Sequence, residues 1–167
     1  MDKQPIDFND ADAVNQAIKH FCDEHAFSDL EHSLDISPKG YAYSLTGSKY
    51  NVDSGIIGED ALIGSIGIHN HPVGYGELMD DSFSRHDLLF ANKYKQGKQY
   101  LVSGRRRNAF EFTQFYTDNE IYSAWENAYY MMLEKSLKEE NTIEWEQEEI
   151  LKILGNILKG FTFYENF

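Results

Sequence analysis

The chain has 167 residues, 41% hydrophobic and 14% aromatic, which is long and apolar enough for one folded domain with a real core. Its formal charge of −13, from 28 acidic against 15 basic side chains, repels phosphate backbones and excludes nucleic acid as a general partner. The single cysteine, Cys22, excludes an internal disulfide and a cysteine-based zinc cluster, and no stretch approaches the ~18 consecutive apolar residues of a membrane helix. The start, MDKQPIDFNDADAV, is polar and acidic with no apolar signal core, so the expectation is a cytoplasmic protein without a membrane partner.

In chain order, residues 10 to 27 place Ala13, Val14, Ala17, Ile18, Phe21 and Cys22 at helical spacing, with Asn9 or Asp10 as the cap. Glu31 to Ile36 and Tyr41 to Leu45 flank Ser37-Pro38-Lys39-Gly40, a turn tetrad, and predict a hairpin. A short extended piece follows at Tyr50 to Asp53. Ala61 to His69 is apolar enough for a central strand, in which Gly64 and Gly67 signal close backbone packing or a bulge.

Asn70 to Phe83 carries Pro72, Gly74 and Gly76 without periodicity and reads as a loop able to cover a site. A helix is expected from about Arg85 to Lys95, with Leu88, Leu89 and Ala91 inward, ended by Gly97. Gln99 to Ser103 and Ala109 to Phe115 predict a second hairpin, with Arg105-Arg106-Arg107 as its solvated tip rather than an anion site. Two helices close the chain, Asp118 to about Glu139 and Thr142 to about Lys159. Their inward faces are Ile121, Trp125, Ala128, Tyr129, Met132 and Leu133 in the first and Ile150, Leu151, Ile153, Leu154 and Leu158 in the second. The order predicts an α+β domain over residues 1–116 with a helical extension, 117–167, packed on it. The aromatic end (Phe161, Phe163, Tyr164, Phe167) either covers a core or forms a dimer contact, and the oligomeric state stays open.

The residues that imply chemistry are spread out: Glu31, then His69-Asn70-His71-Pro72, then Ser84-Arg85-His86-Asp87. Histidines at i and i+2 on a strand share a face, so one metal ion can touch both. Asp87, one turn into a helix beginning near Ser84, supplies a third ligand and leaves a fourth position for water, as an open zinc site requires. Zinc lowers the pKa of its bound water to about 7. A glutamate beside that water can take its proton and pass it to a leaving amine, and Glu31 is the candidate. Ser84 is the candidate donor to the oxyanion. Ser84-x-x-Asp87 also fits a capping box, and the two roles are compatible. His86 points about 100° away from Asp87 and reads as a supporting or surface group; His20, His25 and His32 read as structural.

At these residues the sequence resembles the JAB/MPN/JAMM metallopeptidase family, whose motif is a distant Glu, then H-x-H-P, then S-x-x-D; the likeness is greatest to divergent bacterial and phage JAB-like domains and covers about residues 10 to 115. The resemblance implies a mixed sheet flanked by helices and Zn2+ held by His69, His71 and Asp87. It also implies water activated by Glu31, an oxyanion assisted by Ser84, and hydrolysis of a peptide or isopeptide bond. The segment between His71 and Ser84 is longer than the family pattern, which brings Asp80 and Asp81 nearer the usual ligand spacing, yet neither follows a serine by three positions and Asp87 remains the expected ligand. Glu77, Asp80 and Asp81 make that loop acidic, either merely solvated or selective for a protein or peptide substrate with a Lys-linked or cationic segment. The alternative to an enzyme is a catalytically inactive JAB-like module that binds a protein partner through the acidic loop and the C-terminal helices.

Overall fold

The computed structural model describes residues 1–73, 82–139 and 146–167; Glu77, Asp80 and Asp81 lie outside them. The described strands are β1 (Asp2–Pro5), β2 (His32–Ser37), β3 (Tyr41–Thr46), β4 (Ile66–Asn70), β5 (Lys98–Ser103), β6 (Arg106–Phe112) and β7 (Phe161–Tyr164). They form one mixed sheet in the order β1-β3-β2-β4-β5-β6-β7, antiparallel throughout except for the parallel pair β4 and β5. The helices are α1 (Ala11–His25), α2 (Glu59–Leu62), α3 (Arg85–Lys93), α4 (Asp118–Glu139) and α5 (Glu146–Ile157). The expected α+β class, with a helical pair near the C-terminus, is borne out.

Alternation along the strands sorts the core into two layers. Leu34, Ile36, Ile68, Tyr100, Val102 and Ala109 face α1 and pack on its buried stripe of Val14, Ile18, Phe21 and Cys22. That helix starts where Asp10 accepts hydrogen bonds from the backbone N–H groups of Asp12 and Ala13. The opposite face gives Leu101, Phe110, Phe112 and Phe161 to a larger core completed by Phe83, α3, α4 and α5. Residues beyond 117 thus share the sheet's own core, and β7 extends the sheet on β6.

Several boundaries differ from expectation. Tyr50 to Asp53 is loop rather than strand; Asp53 caps a short 3-10 helix, Ser54–Ile57, by accepting from the N–H of Gly55. Its course depends on Gly47, where a Cβ would stand 2.1 Å from the Asn51 carbonyl oxygen. The first part of the predicted strand Ala61 to His69 is the helical turn α2, and Gly64, at φ +73°, separates it from β4. Only Arg105 is exposed at the hairpin tip; Arg106 pairs with Glu148 of α5, and Arg107 lines a cleft with Cys22 and Tyr100. Tyr129 lies on the exposed side of α4, where Ala124 takes its place in the core.

Leu154 of α5 is fully buried in the shared core. Leu154→Ala is expected to cost about 2–5 kcal/mol and to lower the midpoint of one cooperative transition. Urea denaturation followed by aromatic fluorescence and far-UV circular dichroism checks this; separate transitions would show the C-terminal helices folding independently.

Candidate metal centre

His69 lies in β4, flanked by β2 and β5, where it pairs with Ser33 and Leu101. His71 stands just past the strand end, and its N–H still donates to the Val102 carbonyl at 3.0 Å, so β4 pairing with β5 carries the chain through both histidines. Their rings are 5.2 Å apart, centre to centre. Asp87 comes from the first turn of α3. The nearest ligand atoms of His69, His71 and Asp87 all fall within 4.8 Å of one another, with His69 Nε2 3.8 Å from Asp87 Oδ1. Among the described residues this is the grouping of His, Cys, Asp or Glu close enough for one ion.

Hydrogen bonds and burial set the state of these side chains. Asp87 Oδ2 accepts hydrogen bonds from the Ser84 N–H (2.7 Å) and hydroxyl (2.8 Å), and the Asp87 N–H donates to Ser84 Oγ at 3.3 Å. The capping box is therefore formed, and it fixes one carboxylate oxygen while turning the other toward His69. Burial alone pushes the Asp87 carboxyl up, but the two histidines and the Ser84 hydrogen bonds together bring it below the usual carboxylate range. Burial also depresses His69, against the opposing pull of Asp87, to about 4, so its imidazole is neutral at neutral pH.

His69 Nε2 is buried, and within the described residues it has no hydrogen-bond partner. A buried polar nitrogen left unpaired costs free energy, and a metal ion at this point satisfies it. Two imidazole nitrogens and one carboxylate oxygen are a donor set suited to zinc with an open position. On donor chemistry and placement the three residues fit a zinc ion.

Glu31 lines the same cavity as His69, His71, Ser84 and Asp87. It precedes β2 by one position, two residues before Ser33, which stands opposite His69. Its own N–H donates to Ser48 and its carbonyl accepts from Gly47, each at 2.8 Å. Asn70 adds a second restraint that the sequence analysis did not assign. Asn70 Oδ1 accepts from the His32 N–H (2.7 Å), and its Nδ2 donates to the Leu30 carbonyl (2.9 Å). The residue between the two histidines thus grips the chain on both sides of Glu31. Its signal in sequence is only an amide side chain following an apolar run; its full burial belongs to the fold.

His86 is exposed at the cavity rim, off the ligand cluster. His25 and His32 stack at 4.0 Å, with Ser28 and Thr46 hydrogen-bonded to the His32 ring, apart from the cluster.

No family model matches the chain, and no curated protein and no solved structure matches it either.

A second titratable group is buried in the cavity floor. Burial raises Asp35 from 3.8 to about 6, partly offset by hydrogen bonds from Ser54 and Gln96. The folded state thus binds the Asp35 proton more tightly than the unfolded chain, so this group's stabilising contribution is complete below pH ~4 and is lost as pH rises through about 6. Asp35→Asn is expected to flatten that dependence by an amount on the order of 3 kcal/mol, measured by urea denaturation between pH 4 and 7. Asn70→Ala leaves two backbone groups beside Glu31 without their partners; a loss of about 1–3 kcal/mol and faster amide hydrogen exchange at His32 are expected. Unchanged exchange at His32 would contradict the grip.

Proposed function

We propose that the protein is a zinc-dependent hydrolase of peptide or isopeptide bonds, similar in its site to the JAB/MPN/JAMM metallopeptidases, acting on a protein or peptide in the cytoplasm. The observation that carries this reading is the buried Nε2 of His69, without a hydrogen-bond partner among the described residues and facing Asp87, with His71 beside it and Glu31 lining the same cavity.

Zinc, when bound by His69, His71 and Asp87, lowers the pKa of a water and polarises the substrate carbonyl. Glu31 accepts the proton as that water attacks the amide carbon, and returns it to the departing nitrogen, so that an amine leaves and a carboxylate remains. The Asn70 side chain, bonded to the main chain at Leu30 and His32, and the main-chain bonds of Glu31 with Gly47 and Ser48 restrain the Glu31 backbone during both transfers. Ser84 holds Asp87 first of all, because its hydroxyl proton is directed at Oδ2. Rotating that hydroxyl toward the oxyanion leaves the Ser84 N–H on Oδ2, so Asp87 keeps one of its two restraints. A buried cysteine as the only thiol, and no described helix long and apolar enough to cross a membrane, agree with this setting.

Elemental analysis of the purified protein is expected to find about one zinc per chain, lost in His69→Ala and in His71→Ala. Equal zinc in wild type and His71→Ala removes the site. Glu31→Gln is expected to keep its zinc and to lower the rate on any amide the protein cleaves by about 10²–10⁴-fold. Zinc retained with no amidase activity to lose would favour a non-catalytic interaction module.

A further inference from the structure

The metal ligands occupy one end of a cavity of about 560 Å³, and the strands carry its floor well past them. Ser33 lies opposite His69, and Asp35, two positions further along β2, lies opposite Gly67, which in turn is paired with Gln99 of β5. Gly67 leaves room for the Gln99 amide to lie across it; a Cβ there would stand 2.5 Å from Gln99 Oε1. The strand side chains of this floor are therefore Ser33, Asp35 and Gln99, all hydrogen-bonding groups.

Their hydrogen bonds run in one direction. Ser54 donates its hydroxyl proton to Asp35 Oδ2 at 2.7 Å, so in the contact between Ser33 and Ser54 (2.9 Å) Ser33 is the donor. Gln99 donates to Gln96 Oε1 (2.9 Å), and Gln96 donates to Asp35 Oδ1 (3.2 Å). Both chains end on Asp35. Around Ser33 and Asp35 acceptor capacity is what remains, in the lone pairs of Ser33 Oγ and the second lone pair of each Asp35 oxygen, while the Gln99 amide beyond Gly67 keeps one N–H and its Oε1. Among the described residues no cation pairs with Asp35, and at neutral pH a carboxyl titrating near 6 is ionised. A buried carboxylate with neutral partners and spare acceptors best suits a donor-only cation, and an ammonium has three N–H donors and no acceptor.

We propose that Ser33 and Asp35 form an ammonium subsite, selecting amide substrates with a lysine side chain or free amino group about 7 Å from the metal ligands, the span of two strand residues. The assignment rests on the reading of the neighbouring centre as an amide hydrolase and names the substrate class for it. Asp35 touches the substrate cation here, while the proton transfers stay with Glu31.

The test is a nuclear magnetic resonance titration of the zinc-loaded protein with Nα-acetyl-lysine amide and with Nα-acetyl-norleucine amide, which lacks the ammonium. The lysine compound is expected to bind at least ~10-fold more tightly, about 1.4 kcal/mol, and to shift the backbone amide signals of Ser33, Asp35 and Gln99. In Asp35→Asn the preference disappears while the zinc content stays at the wild-type value. Equal binding of the two compounds, binding of neither, or a preference that survives Asp35→Asn overturns the subsite. The wild-type comparison decides even if the variant does not fold. Zinc is measured on the same samples: a lysine preference in protein that takes up no zinc sinks the hydrolase reading and leaves the subsite, and zinc uptake without preference does the reverse.

Discussion

The pairing of β2 with β4 is the constraint on which the site depends. With Ser33 opposite His69 and Asp35 opposite Gly67, the register brings two chain segments, far apart in sequence, onto one face of one sheet. A slip of one residue would turn the β2 partners to the α1 side, because side chains alternate with period 2. The register is guarded by the apolar residues between: Leu34, Ile36 and Ile68 are buried against α1, and exposing them would forfeit roughly 1.5–3 kcal/mol each. The hydrophobic packing of one face thereby fixes the polar geometry of the other.

Asn70 and Ser84 carry the same logic down to single groups. Asn70 sits between the two histidines and ties their strand to the chain on either side of Glu31, so displacement of one moves the other. Ser84 starts α3 and at the same time turns the Asp87 carboxylate toward His69, making helix initiation and carboxylate placement one event. The His69 ring is held in the surrounding core, with Phe83 edge-on to His69 at 5.7 Å and to Phe110 at 4.7 Å.

Much of this was legible in the sequence because it is periodic. The i, i+2 histidines, the capping-box spacing of Ser84 and Asp87, and the apolar stripes of α1, α4 and α5 each state their geometry locally. The edge strands escaped for want of such a pattern: Asp2–Pro5 is exposed along its whole length and contains proline, and Phe161–Tyr164 reads as a generic aromatic cluster. The role of Asn70 is not visible locally because it lies in two backbone groups nearly forty positions away. Asp35 looked like an ordinary polar strand residue, since its partners Ser54 and Gln96 are brought to it only by the tertiary fold. Glu31 joins the histidines in one cavity through the tertiary pairing of β2 with β4, and no local rule connects positions 31 and 71.

The most direct measurement is a crystal structure of the protein grown with zinc and recorded at the zinc absorption edge. One anomalous peak is expected, about 2.0–2.2 Å from a ring nitrogen of each of His69 and His71 and from Asp87 Oδ1, with the Glu31 carboxylate within hydrogen-bond reach of the open position. A peak elsewhere, or none at these three residues, would contradict the account.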